Sequence, residues 1–423
     1  MARLSHQWAV VHAGGRDRYQ VAAAIHEAGA LRHLVTDFYA PDWLLPPLER
    51  SFPTRASSFQ ARHDPKVPSR FVSSSLVQAL GARALRWSNI DPIRSNSALE
   101  SLLSRRAARY ARAHPGTGIL CYSYYWESLG DARSSPAWDG PGVVFQVHPI
   151  AEQVRGILAN DRAKTSLTYG MEREEVEPPS KARRYRRTIR EADGVFAASS
   201  FTARGLREQG VLPERVAIVP YGADTKTLPR GHRSYDEVRW TSPPKPLRLL
   251  WVGQLAYRKG PHHLFRALQR FPAGSVELTL VTRSPVPAEL RALAPPSIRI
   301  FRSVSDATRE KMYATHHLLV MPSLVEGFGL AYLEALSNGL PILCTPNSGA
   351  VDIISDEVEG FIVDVGDADS IGNRIEQCLT DFALLAAMSE AARRATATWT
   401  WGRFRAELVQ GLARFEAAFD ARQ

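Results

Sequence analysis

Short, largely apolar runs recur along this 423-residue chain, separated by stretches with helical apolar spacing. In the first half they are QWAVVHAGG, GILCYSYYW, GVVFQVH, GVFAAS and RVAIVPYG. In the second they are LRLLWVG, VELTLVT, HLLVMPS, PILCT and EGFIVDV. A strand wetted on one face alternates apolar and polar residues, whereas a strand apolar throughout must be covered on both faces. Helices between successive strands supply that cover, which makes the sheet parallel. The pattern stops at the proline-rich PRGHRSYDEVRWTSPPKP and then restarts. The expected architecture is α/β: two Rossmann-like, doubly wound parallel-sheet domains at 1–228 and 247–399, joined by a linker at 229–246. A closing helix, WGRFRAELVQGLARFEAAF within 400–423, is expected to return to the first domain. Open parallel sheets bind ligands beyond the carboxyl ends of their strands, so a cleft between the halves is the expected site.

Composition narrows the class. The chain is 44% hydrophobic and 23% charged, ordinary for a globular protein. It has no apolar run of about 18 residues to span a membrane. MARLSHQWAVVHAGG enters a strand directly, without signal-peptide order, and the three scattered cysteines (Cys121, Cys344, Cys378) lack metal or disulfide spacing. A reduced, cytoplasmic protein is expected. The net charge of +10 is unevenly placed: residues 231–423 are neutral, and the whole excess falls in 1–230. Drift in base composition accounts for 46 arginines against 7 lysines, but not for one neutral and one basic half. A localised positive field suits phosphorylated substrates, polyanions or an anionic leaflet. SSLVQALGARALRW and ALESLLSRRAARYARAH read as basic amphipathic helices in that half, and KARRYRRTIREAD as a solvated helix face. The proline- and serine-rich stretch APDWLLPPLERSFPTRASSF suits a lid or an acceptor-side insertion.

Two strand-to-helix turns carry candidate chemistry. In WVGQLAYRKGP, Gly253 permits a tight exit from a strand, and Pro261 suits a first helical position. Arg258 and Lys259 beside the free amides of a helix start make an anion site, most naturally for phosphate, unless they merely cover a loop. In PSLVEGFGLAYLEALSNGLPI, Gly327 and Gly329 flank Phe328, so backbone amides can approach a ligand closely. Glu334 is expected in the first turn of the helix that follows, packed through Leu330, Leu333 and Leu336, where the helix dipole favours a carboxylate. Glu326, at a strand end, has no such local reason and could accept hydrogen bonds from hydroxyls in the cleft.

The second of these turns resembles the E-x7-E signature of the retaining glycosyltransferases of family 4, which have the GT-B fold. VGQLAYRKG is similar to that family's phosphate-binding turn. EADGVFAASSFTARGLREQGVLPERVAIVPYGAD and SVSDATREKMYATHHLLVMPSLVEGFG resemble its interdomain segment and the strand leading to the signature. The resemblance is dense over about 185–365 and only in outline over the first 150 residues. It implies a nucleotide-sugar donor held mainly by the second domain. Glu334 would accept from the ribose hydroxyls and Glu326 from the sugar hydroxyls, with the amides of Gly327, Phe328 and Gly329 over the sugar and diphosphate. Lys259 and Arg258 would neutralise the departing diphosphate, and Gly253, Gln254, Leu330 and Val304 would complete the donor site. Many family members carry arginine where this chain has Gln254. Gly14 and Gly15 would give close approach on the phosphate and acceptor side, and His148 in FQVHPIAEQ would reach the donor sugar. The resemblance implies transfer with retention, no protein nucleophile, no metal and no other cofactor. The acceptor expected from the basic half is a lipid-linked or phosphorylated glycan of envelope or polysaccharide synthesis, met at the inner face of the plasma membrane.

Rival readings are a catalytically inactive GT-B adaptor, a nucleic-acid-binding protein, and a GT-B sugar phosphorylase or epimerase. Nucleic acid is not expected, because aromatic residues that stack bases are sparse among the arginine clusters. DAD at 367–369 spells a metal-binding tripeptide of another glycosyltransferase fold, but its place before a helix makes Asp369 an expected N-cap. Asp224 in PYGAD is expected to cap a turn at the hinge. The pairs His262–His263 and His316–His317 lack zinc spacing and are expected to pack or lie on the surface.

Overall fold

A computed structural model describes residues 3–13, 17–52, 59–74, 92–133, 138–223, 246–295, 297–302 and 304–423. Gly14, Gly15, Asp224, the linker as far as Lys245 and SSLVQALGARALRW beyond Ser74 lie outside the described residues.

Each half forms one all-parallel sheet. The first contains β1 (Trp8–Val11), β2 (Leu31–Val35), β3 (Val72–Ser73), β4 (Gly118–Tyr122), β5 (Gly142–Gln146), β6 (Gly194–Ala197) and β7 (Val216–Ile218), in the order β3-β2-β1-β4-β5-β6-β7. The second contains β8 (Leu247–Val252), β9 (Val276–Val281), β10 (Ile298–Phe301), β11 (Leu318–Val320), β12 (Ile342–Cys344) and β13 (Gly360–Ile362), in the order β10-β9-β8-β11-β12-β13. The central strands β1, β4, β5, β6, β11 and β12 are buried at every residue, as their unbroken apolar sequences require. Chain order reverses between β1 and β4, and again between β8 and β11. Val10 stands beside Leu120 at the first reversal and Leu250 beside Leu319 at the second. A crevice opens beyond the carboxyl ends of strands at such a reversal.

The first helix, Gln20–Glu27, ends as its sequence implies, with Gly29 at φ 73°. The last helix, Trp401–Asp420, is capped by the Thr400 hydroxyl, which accepts from the Arg403 N–H at 3.1 Å. Its buried Glu416 accepts from the Trp8 indole N–H at 2.7 Å and from the Ser5 and His6 amides at 2.7 and 3.1 Å. The chain therefore ends on the first sheet, having crossed back where the Ala223 N–H meets the Trp399 carbonyl at 2.9 Å.

The helix before β6, Pro179–Glu191, turns Ala182, Thr188 and Ile189 inward and leaves Arg183, Arg184, Arg187 and Arg190 exposed. No helix among the described residues is long and apolar enough to cross a membrane.

Candidate active site

The second sheet aims two loops at the first domain. After β8, Gly253 adopts φ 149°, and Tyr257–Lys259 form one tight helical turn. Gly260 at φ 68° then starts the helix Pro261–Leu268. A Cβ on Gly260 would lie 2.2 Å from the Pro322 carbonyl oxygen, so glycine there lets this turn press against the chain leaving β11. That second loop runs to Gly329, which at φ 89° opens the helix Leu330–Ser337. The Val325 N–H donates to the Arg258 carbonyl at 3.0 Å and locks the two loops together.

The loops converge on Glu326, which is 7% exposed. Its Oε2 receives Lys259 Nζ at 2.6 Å and Arg258 Nη1 at 3.0 Å. Burial acts to raise its pKa, but the charges of Arg258, Lys259 and His148 outweigh burial and hold the carboxyl far below its ordinary range. Burial acts against the Arg258 charge too, yet Glu326 and Glu172 overcome it and raise its pKa. The Arg258 Nε lies 3.5 Å from Glu172, a residue of the first domain. Arg258 and Lys259 are thus charged partners of a buried carboxylate rather than loop cover.

An interdomain cavity of about 390 Å³ lies in front of Arg258. Gln254, Arg258 and Val325 line it from the second domain; Ala13, Tyr124 and His148 face them from the first. Glu326 and Lys259 are not among its lining residues; they join it through Arg258, which bonds Glu326. Its described arginines are each matched: Arg62 meets Asp37 at 2.5 Å, Arg173 meets Glu100 at 2.9 Å, and Arg258 meets Glu326.

Several expected positions acquire different reasons. A Cβ on Gly327 would strike the Val147 carbonyl oxygen at 1.9 Å, and the Gly327 carbonyl accepts from the Ser199 and Thr202 hydroxyls at 2.5 and 3.3 Å. Glycine at 327 therefore permits close contact between the domains. Phe328 is buried edge-on against Tyr221, with centroids 5.5 Å apart. Leu330 and Val304 pack as partly buried core residues. Glu334 is not in the first helical turn, as expected, but one turn further on, because the helix starts at Leu330. Dipole stabilisation does not account for it. Its carboxylate is 42% exposed and accepts from the Tyr313 hydroxyl at 2.8 Å. The N-cap of the helix Ala368–Thr380 is Asp367, not Asp369; Oδ1 of Asp367 accepts from the Asp369 and Ser370 amides. His316 and His317 are buried; His316 bonds the Met312 carbonyl of the helix it ends and His317 Nδ1 accepts from the Arg248 N–H of β8, as expected of packing residues.

Sequence reasoning missed the first-domain partners of this site: Glu172, Ser199, Thr202 and Asp161. Asp161, on the helix Ala151–Thr165, reaches into the second domain and bonds His262 and His263. Those histidines are therefore more than packing residues. The acidic run EREEVE was the one local signal, and it did not say which acid would meet the other domain.

Residues 234–395 match the family described as "Glycosyl transferases group 1". The D-inositol 3-phosphate glycosyltransferase of Nocardiopsis dassonvillei is 27% identical over 71% of this chain and 71% of its own. That of Salinispora arenicola is 27% identical over 71% and 69%. Among solved structures, sucrose-phosphate synthase from Thermosynechococcus elongatus superposes with a TM-score of 0.63 at 16% identity, covering 96% of this chain and 98% of its own. Anabaena HepE in complex with UDP and glucose gives 0.62 at 15% identity, covering 96% and 99%. The fold is GT-B, and the matches support a glycosyltransferase.

Proposed function

We propose that this chain transfers a sugar from a nucleoside diphosphate sugar to an acceptor with retention at the anomeric carbon. The observation that carries the reading is the convergence of Arg258 and Lys259 on Glu326, with Arg258 lining an interdomain cavity. Arg258 and Lys259 share Glu326, with Glu172 3.5 Å from Arg258, so a diphosphate leaving group can use these cations by taking the place of a carboxylate. Fixed charges in a site closed to water stabilise such a group far more than they would in bulk solvent. Because Glu326 is held ionised, it accepts hydrogen bonds from sugar hydroxyls and is unsuited to donate a proton as a general acid. In this reading the departing phosphate takes the acceptor's proton, and the protein contributes position and charge without a nucleophile. Arg258 and Lys259 supply the positive charge that a metal would otherwise bring.

Uridine is the favoured base, since the HepE structure contains UDP. A phosphorylated or anionic lipid-linked acceptor is supported by the names of the inositol 3-phosphate relatives and by the exposed arginines of the helix Pro179–Glu191. The paired arginines of the cavity add nothing to it. The test is turnover against UDP-, GDP- and ADP-sugars, with and without chelator, and with the product's anomeric configuration read by NMR. Transfer or slow donor hydrolysis that survives chelation and keeps the anomeric configuration is expected. No turnover with any donor would overturn the reading, and phosphate-dependent turnover would favour a phosphorylase.

A further inference from the structure

The turn that presents Arg258 and Lys259 is gripped at both ends by one carboxylate from the opposite domain. Asp161 Oδ2 accepts from the Tyr257 hydroxyl at 2.7 Å, just before the two cations. The same oxygen lies 3.0 Å from His262 Nε2, and Oδ1 lies 2.8 Å from His263 Nε2, just after them. The donors and acceptors close: with Nε2 of His262 donating to Asp161, its Nδ1 accepts from the Tyr169 hydroxyl at 2.8 Å. The Arg162 guanidinium lies over the Tyr257 ring at 3.8 Å. Asp161, His262 and His263 are all buried, and a Cβ on Gly366 of the second domain would sit 3.0 Å from Asp161 Oδ1. The carboxylate is therefore inserted into the second domain.

These three side chains also form the kind of group that can hold a metal ion. The separations observed are those of direct bonds between the carboxylate and the imidazoles. A tetrahedral ion bound at about 2.0–2.1 Å would keep its ligand atoms about 3.3 Å apart. Separations of 2.8 and 3.0 Å are hydrogen bonds.

We propose that Asp161 is a positioning residue for nucleoside diphosphate binding: by clasping Tyr257, His262 and His263 it fixes the turn that aims Arg258 and Lys259. The inference rests on the donor reading above and adds to it a cause. Assembly of the phosphate site depends on a residue of the first domain, so the site is complete only when the domains are docked. A hydrogen bond to a charged group carries more than one between neutral groups, and its loss here acts on the aim of two cations at once.

The test uses the full chain and isothermal titration with UDP, GDP and ADP, each paired with its monophosphate, alongside thermal melting. Asp161→Asn keeps the shape and removes the charge. It is expected to lose about tenfold in affinity for whichever diphosphate the wild type binds and less than about twofold for the monophosphate. Tyr257→Phe, which removes a single donor, is expected to lose about threefold with the same selectivity, and decides the matter if Asp161→Asn fails to fold. Unchanged diphosphate affinity in a folded variant would overturn the proposal. So would equal losses for monophosphate and diphosphate, which would mean general loosening. A stoichiometric divalent metal, retained by the wild type and lost from Asp161→Asn, would overturn it as well. If the wild type binds no nucleoside diphosphate, the glycosyl-transfer reading fails first and this inference falls with it.

Discussion

Two buried carboxylates flank the turn at residues 257–263, and they hold it by different chemistry. Glu326 meets two formal cations, Lys259 at 2.6 Å and Arg258 at 3.0 Å. Asp161 meets a hydroxyl and two imidazoles at 2.7 to 3.0 Å. Burial lowers the pKa of His262, so at least one imidazole partner of the Asp161 carboxylate is neutral and the contact is a charge-assisted hydrogen bond rather than an ion pair. An ion pair can exchange one anion for another, so the Glu326 cluster can open to a phosphate while its cations stay satisfied. The Asp161 cluster has no reason to open, because any separation leaves buried polar atoms without partners. One cluster is built to be exchanged and the other to stay closed.

The strongest way to break this comparison is Glu326→Gln. With its carboxylate gone, Lys259 and Arg258 lose their shared counter-charge, and Arg258 keeps only Glu172 at 3.5 Å. Transfer is expected to fall by more than about 10³-fold, since the charge that strengthens the proposed sugar contact and orders the cations is lost. Affinity for the bare nucleoside diphosphate is expected to rise, because the ligand no longer competes with Glu326. Turnover together with titration checks this. Weaker diphosphate binding in a folded variant would show that Glu326 orients the cations rather than occupying them.

Gly327→Ala tests the docking that brings the clusters together. The added methyl would meet the Val147 carbonyl oxygen, a backbone atom with little freedom to move. Overpacking of this kind costs about 1–3 kcal/mol. The expected outcome is a lower melting temperature and a larger radius of gyration by solution scattering, as the Ser199 and Thr202 contacts to Gly327 part. Unchanged scattering and turnover would mean that the contact is not needed for the site.

Acid acts on both clusters. Glu326 and Asp161 both have folded pKa values below their ordinary range. For Asp161, burial acts to raise it, and the His262 and His263 hydrogen bonds overcome that. A depressed folded pKa contributes stability that is full above the unfolded value of about 4 and is lost as pH falls below it. The denaturation midpoint is therefore expected to be flat with respect to these groups from about pH 5 upward and to drop below about pH 4. Asp161→Asn should show a shallower acid slope than the wild type. Equal slopes would mean that Asp161 is not held ionised.

How far these clusters were legible in the sequence follows the range of the contacts. Gly253, Arg258, Lys259, Gly260 and Glu326 were visible because a strand end, a glycine and a helix start are local patterns, and the structure brings Lys259 and Arg258 onto Glu326. Asp161 was not visible. It lies mid-helix, and its partners are about a hundred positions away across the domain boundary. The sheets were readable at their centres, where strands are apolar throughout, and missed at β2, β3 and β10. Two of these lie at sheet edges, one only two residues long and the other largely exposed, while β2 carries a polar middle, so all three lack the unbroken apolar signal.

The smallest expected effect sharpens the contrast by way of a third carboxylate. Glu334 shares a loop and helix with Glu326 but is 42% exposed, accepts from Tyr313 at 2.8 Å and has Arg309 no nearer than 3.7 Å. In water-accessible surroundings a charged partner at that distance adds little, so this carboxylate is already placed and already free to take hydroxyl donors. Replacing it by glutamine removes charge while leaving an amide oxygen that accepts the same hydrogen bonds. Glu334→Gln should therefore raise the donor KM by about fivefold and leave kcat within about twofold, as expected for a contact made equally in the ground and transition states. A large fall in kcat would place Glu334 with Glu326 in the reacting part of the site, and the distinction between buried, exchangeable charge and exposed, fixed charge would no longer divide the two glutamates.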